Sequence, residues 1–481
     1  MLQKKFKGGY NIPLQGRPDR AIKQMPQPQM FYIPLSSRRF VFSKICDGNG
    51  RQVKTGEVLA KDPDNYDVPL LAPLPGTVNL QTAEKHIVLE ILAEPAEHPP
   101  VPQMQPPHIV QKPGTADTRR NKLLRLGAWQ FFYDAYTDKL PDPIGTPQAV
   151  IVSTLRLEPF LARGDVLLHD KFLNFTRGLE QLQSLLEYQQ IFLVMPDIHS
   201  ALATKVRNQI RGYAWAELVE IPIKYPHDSF NILARHLGLK KDAGPVWAIR
   251  TEGILAIDNA LTLGKPCTSR IISVGGPAVN SPTHIELTTG YPINKITDMF
   301  ASEDDIRVIN GGILTGQSTE TQNLGLDAEC TGITILPEHT ERELFGFARP
   351  GSDRTSFSGC FLSSLRKKID ETLTTALRGE LRPCITCNFC EQICPAGIMP
   401  HQIHKFLYAE LIEEAQQARI DLCIECGLCS FVCPSKIDLK NEFVEAKKQI
   451  EKEKEEIRKE KERQEKLQQQ TSEKTTEEKT Q

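Results

Sequence analysis

Two cysteine runs with identical spacing constrain this chain more than any other feature. Eight of its 12 cysteines lie between Cys384 and Cys433, in two Cys-x-x-Cys-x-x-Cys-x-x-x-Cys-Pro runs. This spacing is typical of ferredoxins with two 4Fe–4S clusters, in which three thiolates of a run bind one cluster and the fourth binds the other. We therefore predict a first cluster held by Cys384, Cys387, Cys390 and Cys433, and a second held by Cys423, Cys426, Cys429 and Cys394.

The same runs argue against a zinc site. Structural zinc sites use four ligands in total, usually from two CxxC pairs, whereas eight thiolates in two identical runs match two iron–sulfur clusters. Between the runs, one spacer helix is predicted from apolar residues that recur every four positions, namely Ile403, Leu407, Leu411 and Ala415. His401 and His404 on this helix are interpreted as ordinary surface residues.

Composition excludes several classes of protein. With 58 Lys and Arg against 60 Asp and Glu, the net charge is -2, so no strongly basic face for nucleic acid is expected. No apolar run approaches the roughly 20 residues that span a bilayer, and the first ten residues do not form a secretory signal. We expect a reducing cytoplasmic setting, where cysteines serve as ligands more often than as disulfides. The other four cysteines, which lack partner spacings, are predicted to be buried thiols: Cys46, Cys267, Cys330 and Cys360.

The first half of the chain changes pattern at a Pro-rich segment. From Cys46 to Leu92, short apolar runs alternate with turn signals in two similar halves, as in a barrel-sandwich domain of the lipoyl type. No Met-Lys-Met hairpin is present, so this part is interpreted as structural. Seven prolines between Pro95 and Pro113 then indicate a linker.

Beyond the linker, strand and helix patterns alternate. Ala149–Ser153, Ile191–Met195 and Ala216–Ile221 are predicted strands, with helices at 166–186 and 200–212 between them. Strand–helix–strand repeats of this kind predict a doubly wound parallel sheet. Glu158, just after the first of these strands, stands where such folds place ligands, and a binding role competes there with a structural one.

The segments that follow differ again in composition. From Cys267 to Gln317, short strands separated by Gly-Gly pairs predict a small mixed β unit, with the glycines in turns. Residues 347–438 are predicted to be helical around the cysteines. The last 42 residues hold 12 Lys or Arg and 12 Asp or Glu, which predicts an exposed helix fraying after about Leu467.

Several stretches make the chain recognisable as a relative of a known group. From about Gly8 to Asp438 it resembles two related components of sodium-pumping membrane oxidoreductases, namely NqrA of the NADH:quinone reductase Nqr and RnfC of the Rnf complex. The residues that resemble NqrA are Gly9–Gly16 (GYNIPLQG), Gly127-Ala128-Trp129, Val150–Pro159 (VIVSTLRLEP) and Arg307–Gly316 (RVINGGILTG). The cysteine block, including Cys423-Ile424-Glu425-Cys426-Gly427, resembles RnfC.

This resemblance implies a multidomain α/β protein. Its expected parts are an N-terminal segment (1–45), a barrel-sandwich domain (46–94), a Pro-rich linker (95–116), a Rossmann-like doubly wound domain (117–265), a β-grasp domain of the soluble-ligand-binding (SLBB) type (266–345), a helical ferredoxin domain with two 4Fe–4S clusters (346–439) and a charged helical or disordered tail (440–481). It also implies a peripheral subunit on the cytoplasmic side of the inner (plasma) membrane. Integral-membrane and flavin subunits are the implied partners, and quinone or ferredoxin are candidate electron partners.

One departure bears on the cofactors. RnfC holds FMN and NADH on a GxGGxGFPT stretch, whereas this chain has Leu124-Arg125-Leu126-Gly127-Ala128-Trp129-Gln130-Phe131-Phe132 at the corresponding place. A single glycine among bulky side chains prevents the close backbone approach that a phosphate or flavin needs, so neither FMN nor NADH is expected here.

The favoured hypothesis is therefore an electron-transfer subunit of a sodium-translocating complex of the Nqr or Rnf type, with NADH:quinone reductase activity at the level of the complex. Two alternatives remain open from the residues. One is an Rnf-like, NADH-oxidising flavoprotein whose flavin site has diverged. The other is a scaffold subunit in which the clusters only stabilise the C-terminal domain.

The double run predicts the iron content of the purified chain. Two 4Fe–4S clusters give about eight iron atoms per chain, together with EPR signals after reduction with dithionite. Iron analysis that finds about four atoms per chain would contradict the two-cluster assignment.

Overall fold

A computed structural model describes residues 6–81, 85–91, 115–186, 189–322, 324–339, 357, 362–365, 373–375 and 381–478, apart from positions 13, 47 and 199. These residues separate into two compact units, which are described individually. The smaller unit contains residues 7–9, 357 and 381–478, and the larger unit contains the others.

The strands, in chain order, are β1 (Ile22–Gln24), β2 (Met30–Pro34), β3 (Lys44–Ile45), β4 (Gln52–Val53), β5 (Val58–Asp62), β6 (Val68–Leu71), β7 (Gly76–Gln81), β8 (His86–Ile91), β9 (Phe132–Asp134), β10 (Ala149–Ser153), β11 (Gln190–Pro196), β12 (Ala216–Ile221), β13 (Val246–Arg250), β14 (Ser269–Gly275), β15 (Thr283–Thr288), β16 (Ile306–Asn310), β17 (Gln317–Ser318) and β18 (Gly332–Pro337). The α-helices are α1 (Thr115–Arg125), α2 (Gly164–Leu185), α3 (Ala201–Ile210), α4 (Phe230–His236), α5 (Thr251–Leu261), α6 (Ile293–Phe300), α7 (Phe389–Ile393), α8 (Pro400–Tyr408), α9 (Ile412–Gln417), α10 (Leu428–Val432) and α11 (Leu439–Glu478).

The N-terminal part of the larger unit contains two antiparallel sheets, ordered β2-β8-β7-β4 and β3-β5-β6. Ile33 and Leu89 of the first sheet and Leu59 and Leu70 of the second lie in one buried core. We predicted residues 1–45 as a segment of their own. In the structure they contribute β2 and β3 to this sandwich, and β1 pairs in parallel with β15 in another sheet.

The doubly wound sheet is confirmed, with strand order β12-β11-β10-β13-β9. Neighbours among β10–β13 are parallel, and β9 is an antiparallel edge. Val150 and Val152 of β10 belong to one buried cluster and Ile151 to another. Both faces of β10 are buried and this strand is a continuous apolar run, which is why the sequence located it closely, whereas the edge strand β12 is half-buried and carries two glutamates.

The SLBB-like part is a mixed sheet, ordered β1-β15-β14-β18-β16-β17, with α6 packed on it through Ile293, Ile296 and Phe300. Gly276 follows β14 with φ +124, and a Cβ there would lie 2.2 Å from the carbonyl oxygen of Ile335. The tight turn therefore needs glycine, as the Gly-Gly pattern predicted.

A buried ion pair fastens separate parts of the larger unit together. The Arg39 guanidinium contacts the Glu329 carboxylate at 2.5 Å and donates to the backbone oxygens of Phe132 and Gln130 at 2.7 and 2.5 Å. Ser37 Oγ donates to the same carboxylate at 2.7 Å. Burial raises the pKa of Glu329, but the Arg39 charge and these hydrogen bonds outweigh it and hold that pKa below its usual value.

Two helix predictions in the smaller unit were wrong. The predicted spacer helix is two helices, α8 and α9, because Glu410 has φ +59 and turns the chain between them. Ile403 and Ala415 are buried, but Leu411 is exposed. The predicted fraying after Leu467 is also wrong, because α11 continues to Glu478.

The first turns of α11 pack on the buried core of the smaller unit through Phe443, Ala446 and Ile450, whereas Ile457 is exposed. Among the described residues, no helix is long and apolar enough to cross a bilayer.

Arg39 and its neighbour provide a matched test of the buried pair. Arg39→Met leaves the Glu329 carboxylate buried without its cation, so we expect a loss of about 3–5 kcal/mol in the free energy of unfolding. Arg38→Met removes the same charge from an exposed pair with Asp138 and should cost no more than about 1 kcal/mol. Calorimetric unfolding measures both, and equal effects would contradict the role given to Arg39.

Candidate metal centre

Each cysteine run folds into a loop followed by one short helix. The first two cysteines lie on the loop, the third in α7 or α10, and the fourth directly after that helix. Asn388 and Gly427 precede the two helices in the left-handed conformation, with φ 64 and 77. Identical spacing thus produces the same local structure twice.

The structure brings the eight cysteines together in two recesses. Cys384, Cys387, Cys390 and Cys433 line the first recess, which measures about 340 Å³ with its mouth included. Cys423, Cys426, Cys429 and Cys394 line the second, which measures about 370 Å³. Three thiols of each recess come from one run and the fourth from the other, which is the grouping that the sequence predicts. Their role as ligands stays a prediction.

Burial opposes negative charge on the thiols in these recesses. It raises the pKa of Cys390 and of Cys423 to about 11 and that of Cys426 to about 12. It also raises the pKa of Cys429, where the neighbouring cysteines add to the effect. Binding of a metal group to such thiols has to displace their protons. The four sulfur donors that line each recess fit a sulfur-binding metal group.

Backbone N–H groups point at several of these sulfurs. The N–H of Glu425 donates to Cys423 Sγ at 3.4 Å, and backbone N–H groups of His401 and Leu428 lower the pKa of Cys390 and Cys426 against the effect of burial. Hydrogen bonds to the sulfurs are one of the factors that determine the reduction potential of an iron–sulfur cluster.

The chain's N-terminal segment contributes to the same unit. The N–H of Gly9 donates to the Ile393 oxygen at 2.9 Å. Gly8 has φ +55, and a Cβ there would lie 2.4 Å from that oxygen and 2.6 Å from the carbonyl carbon of Cys394. The segment thus lies directly on the loop of a predicted ligand. A Gly-Gly pair is the signal for such a close approach, and sequence reasoning did not use it.

The interpretation of two histidines as surface residues was wrong. The side chains of His401 and His404 are each 14% exposed. His404 Nδ1 lies 2.7 Å from Glu442 Oε2 on α11, and His401 lines the first recess with Nδ1 3.8 Å from the Glu391 carboxylate. Both are half-buried, His401 at the first recess and His404 against Glu442 near the start of α11.

The Glu158 side chain has a structural role. Its carboxylate accepts hydrogen bonds from the N–H groups of Leu314 and Thr315 at 2.9 and 2.8 Å and from Thr315 Oγ1 at 2.5 Å. A Cβ on Gly312 would lie 2.2 Å from this carboxylate, so the Gly-Gly pair makes room for it. Burial raises the pKa of Glu158 in spite of these bonds. Glu158 therefore joins the doubly wound sheet to the loop after β16.

The segment compared with the FMN loop is filled by the chain's own side chains. Ala128, Trp129, Gln130 and Phe131 are buried. Trp129 Nε1 donates to the Pro141 oxygen at 3.1 Å, and Gln130 Nε2 donates to the Pro69 oxygen at 2.6 Å. The expectation of no FMN and no NADH site stays a prediction.

The four other cysteines have different surroundings. Cys330 is buried and Cys267 half-buried, and burial raises the pKa of both thiols. Cys46 is exposed, so its predicted burial is wrong: it follows a two-residue strand and precedes a turn. Cys360 lies outside the described residues.

Three family models match the chain. They are described as the NqrA second alpha/beta domain (residues 115–266), the NQRA C-terminal domain (271–321) and a 4Fe-4S dicluster domain (383–438). The chain is thus similar to NqrA over two segments and to a dicluster domain over a third. The predicted resemblance is thereby confirmed, and so is the multidomain α/β class with its SLBB-like and helical dicluster parts.

Curated relatives agree with the NqrA assignment. The NqrA protein of the Na(+)-translocating NADH-quinone reductase of Psychromonas ingrahamii is 26% identical over 418 residues, which cover 85% of this chain and 90% of that protein. Its counterpart in Neisseria gonorrhoeae is 26% identical over 86% of this chain and 91% of its own length, and that of Yersinia pseudotuberculosis is 24% identical with the same coverage. A solved structure of an NAD+-reducing NiFe hydrogenase aligns with 68% of this chain and 61% of the hydrogenase chain, with 13% sequence identity and a TM-score of 0.41.

The grouping of thiols predicts which cysteine substitutions act together. Cys433→Ser should perturb the same EPR signal as Cys387→Ser, although the two residues belong to different runs, because both line the first recess. Cys394→Ser should instead perturb the signal that Cys426→Ser affects. Cys46→Ser is the control and should leave both signals unchanged. If Cys433→Ser perturbed the same EPR signal as Cys426→Ser, the crossed arrangement would be contradicted.

Proposed function

We propose that this chain is an electron-transfer subunit of a Na+-translocating NADH:quinone reductase of the Nqr type, with two 4Fe–4S clusters bound in its two cysteine recesses. The observation that carries the proposal is the pair of four-thiol recesses in a chain that has NqrA domains. The relatives are subunits of an oxidoreductase complex, and this chain is a subunit of such an enzyme.

The arrangement of the thiols supports a cluster over a single zinc ion. In the described part of the chain, no three His, Cys, Asp or Glu side chains come close enough to hold one metal ion. Four thiols spread around a recess match a group with several metal atoms, each of which takes one thiolate. The first cluster is assigned to Cys384, Cys387, Cys390 and Cys433, and the second to Cys423, Cys426, Cys429 and Cys394.

The chain's own residues provide the conditions for electron transfer. A bound 4Fe–4S cluster takes up and releases single electrons. The cysteines hold it, and the backbone N–H groups stabilise negative charge on its sulfur ligands. Ile398 and Ile437, which stand four positions after the crossing cysteines, are buried and help to exclude water from the two recesses.

Hydride chemistry is assigned to another subunit. The packed segment around Trp129 supports this assignment, because its side chains fill the place where a flavin loop would need open backbone. The proposed partners are integral-membrane subunits and a flavin subunit, with quinone or ferredoxin as candidate electron partners. The proposed location is peripheral, on the cytoplasmic side of the inner membrane.

The domain bounds are also proposals. The ranges 46–94, 117–265, 266–345 and 346–439 are proposed for the four folded domains, with 95–116 as the linker and 440–481 as the tail. The strands β4–β8 fall in the first range and β9–β13 in the second, which supports these two ranges, but β2 and β3 of the sandwich lie before residue 46. Residues 95–114 of the linker lie outside the described residues. Residues 1–45 are proposed to be parts of the two domains whose sheets they complete, the barrel-sandwich domain and the SLBB-like domain.

The proposal predicts a loss of electron transfer when a ligand is removed. In the assembled complex, Cys384→Ser and Cys426→Ser should lower NADH-driven quinone reduction by more than the roughly 10–100-fold that loss of an outer-shell partner costs. Cys46→Ser, an exposed cysteine outside the recesses, should keep the full rate. Complexes that assemble normally and retain the rate with either ligand variant would mean that the clusters serve only as a scaffold.

A further inference from the structure

The two recesses are built by a repeat with a constant offset. Each residue of the second run lies 39 positions after its counterpart in the first, as Cys423 does after Cys384 and Cys433 after Cys394. The same offset relates His401 to Lys440 and Tyr408 to Lys447. At two corresponding positions the repeat therefore has lysines beside the second recess only.

Lys447 is held directly over a predicted ligand of the second cluster. Its Nζ donates to the backbone oxygen of Cys423 at 3.0 Å and contacts the Glu425 carboxylate. The side chain is 29% exposed, so its charge is only partly screened by water. Lys440, at the start of the same helix, lines the second recess itself.

The first recess differs at the corresponding positions. His401 lines it where Lys440 lines the second, and Tyr408, in the place of Lys447, is 87% exposed. Two cations contact the first recess: Lys405 Nζ donates to Thr386 Oγ1 at 2.9 Å, and Arg382 Nη2 donates to the Pro434 oxygen at 3.2 Å. Both are exposed and neither bonds the backbone of a predicted ligand, whereas Lys447 bonds that of Cys423.

We propose that Lys447 is a positioning residue that stabilises the reduced state of the second cluster and makes the two clusters electrostatically unequal. The inference rests on the proposed function, because it needs both clusters. Reduction adds one electron, and therefore one negative charge, without making or breaking a covalent bond. A cation fixed beside the ligand loop favours that added charge.

Two opposite charges lie beside the same ligand loop. The Lys447 ammonium group bonds the backbone oxygen of Cys423, whereas the Glu425 carboxylate bonds the lysine and not the ligand. Removal of Lys447 therefore isolates the contribution of its charge at this loop.

The test is an EPR-monitored redox titration of the full chain, with dithionite as reductant. Lys447→Met should lower the reduced-to-oxidised ratio of one cluster about tenfold at a fixed potential, which is a midpoint lower by about 59 mV, and leave the other cluster unchanged. Lys447→Arg keeps the positive charge and should therefore have the wild-type midpoint potential. Lys448→Met removes the same charge from the adjacent, exposed position and should shift neither cluster. Cys426→Ser identifies the signal of the second cluster.

Further variants separate the outcomes. Glu425→Gln removes the opposing charge and should raise the midpoint of the second cluster, which keeps the inference testable if Lys447→Met fails to fold. Lys405→Met should shift the first cluster less than Lys447→Met shifts the second.

Unchanged midpoints in Lys447→Met, or equal shifts in Lys448→Met, would overturn the inference while leaving the two-cluster function intact. Wild-type protein with only about four iron atoms per chain would overturn both.

Discussion

The structure of the smaller unit depends on one constraint, the meeting of cysteines from two distant runs around each recess. Cys394 and Cys433 each belong to one run but line the recess that contains the first three cysteines of the other run. For this to happen, the two loop–helix units must pack against each other. Ile398 and Ile437, four residues after the crossing cysteines, form part of the core that holds them there. The positions of α8, α9 and α11 follow from the same requirement.

Buried polar contacts play a comparable part in the larger unit. The Arg39–Glu329 pair and the Glu158 carboxylate both connect segments that are far apart in sequence, by 290 and more than 150 residues respectively. Buried charges are stable only when they are paired and hydrogen-bonded, so these contacts specify how the sheets meet. The segment around Trp129 packs into the same body through hydrogen bonds to backbone oxygens.

The sequence predicted the parts that short-range patterns determine. The β10 run Ala149–Ser153 was located to the residue because a strand buried on both faces is a continuous apolar run. Cysteine spacing predicted the same grouping of the eight thiols as the lining of the two recesses, and their role as ligands stays a prediction. The predicted helix at 200–212 agrees with the start of α3, where the Ala203 N–H donates to Ser200 Oγ.

Other features depended on partners that a local pattern does not contain. The break between α8 and α9 occurs at Glu410, a residue with no glycine or proline signal, in the left-handed conformation. The burial of His404 requires Glu442, which lies 38 residues away. The strands β1 and β2 form because their partners, β15 and β8, come from much later in the chain. These features therefore depend on tertiary contacts, which the periodicity of the sequence does not reveal.

The central claim, that electrons pass through clusters held by this chain, is tested most directly by rapid mixing of the assembled complex with NADH. Absorbance and freeze-quenched EPR then follow the iron–sulfur signals through the first turnover. The account predicts that both clusters are reduced at least as fast as quinone is turned over. Clusters that remain oxidised during turnover, or that are reduced more slowly than quinone, would contradict it.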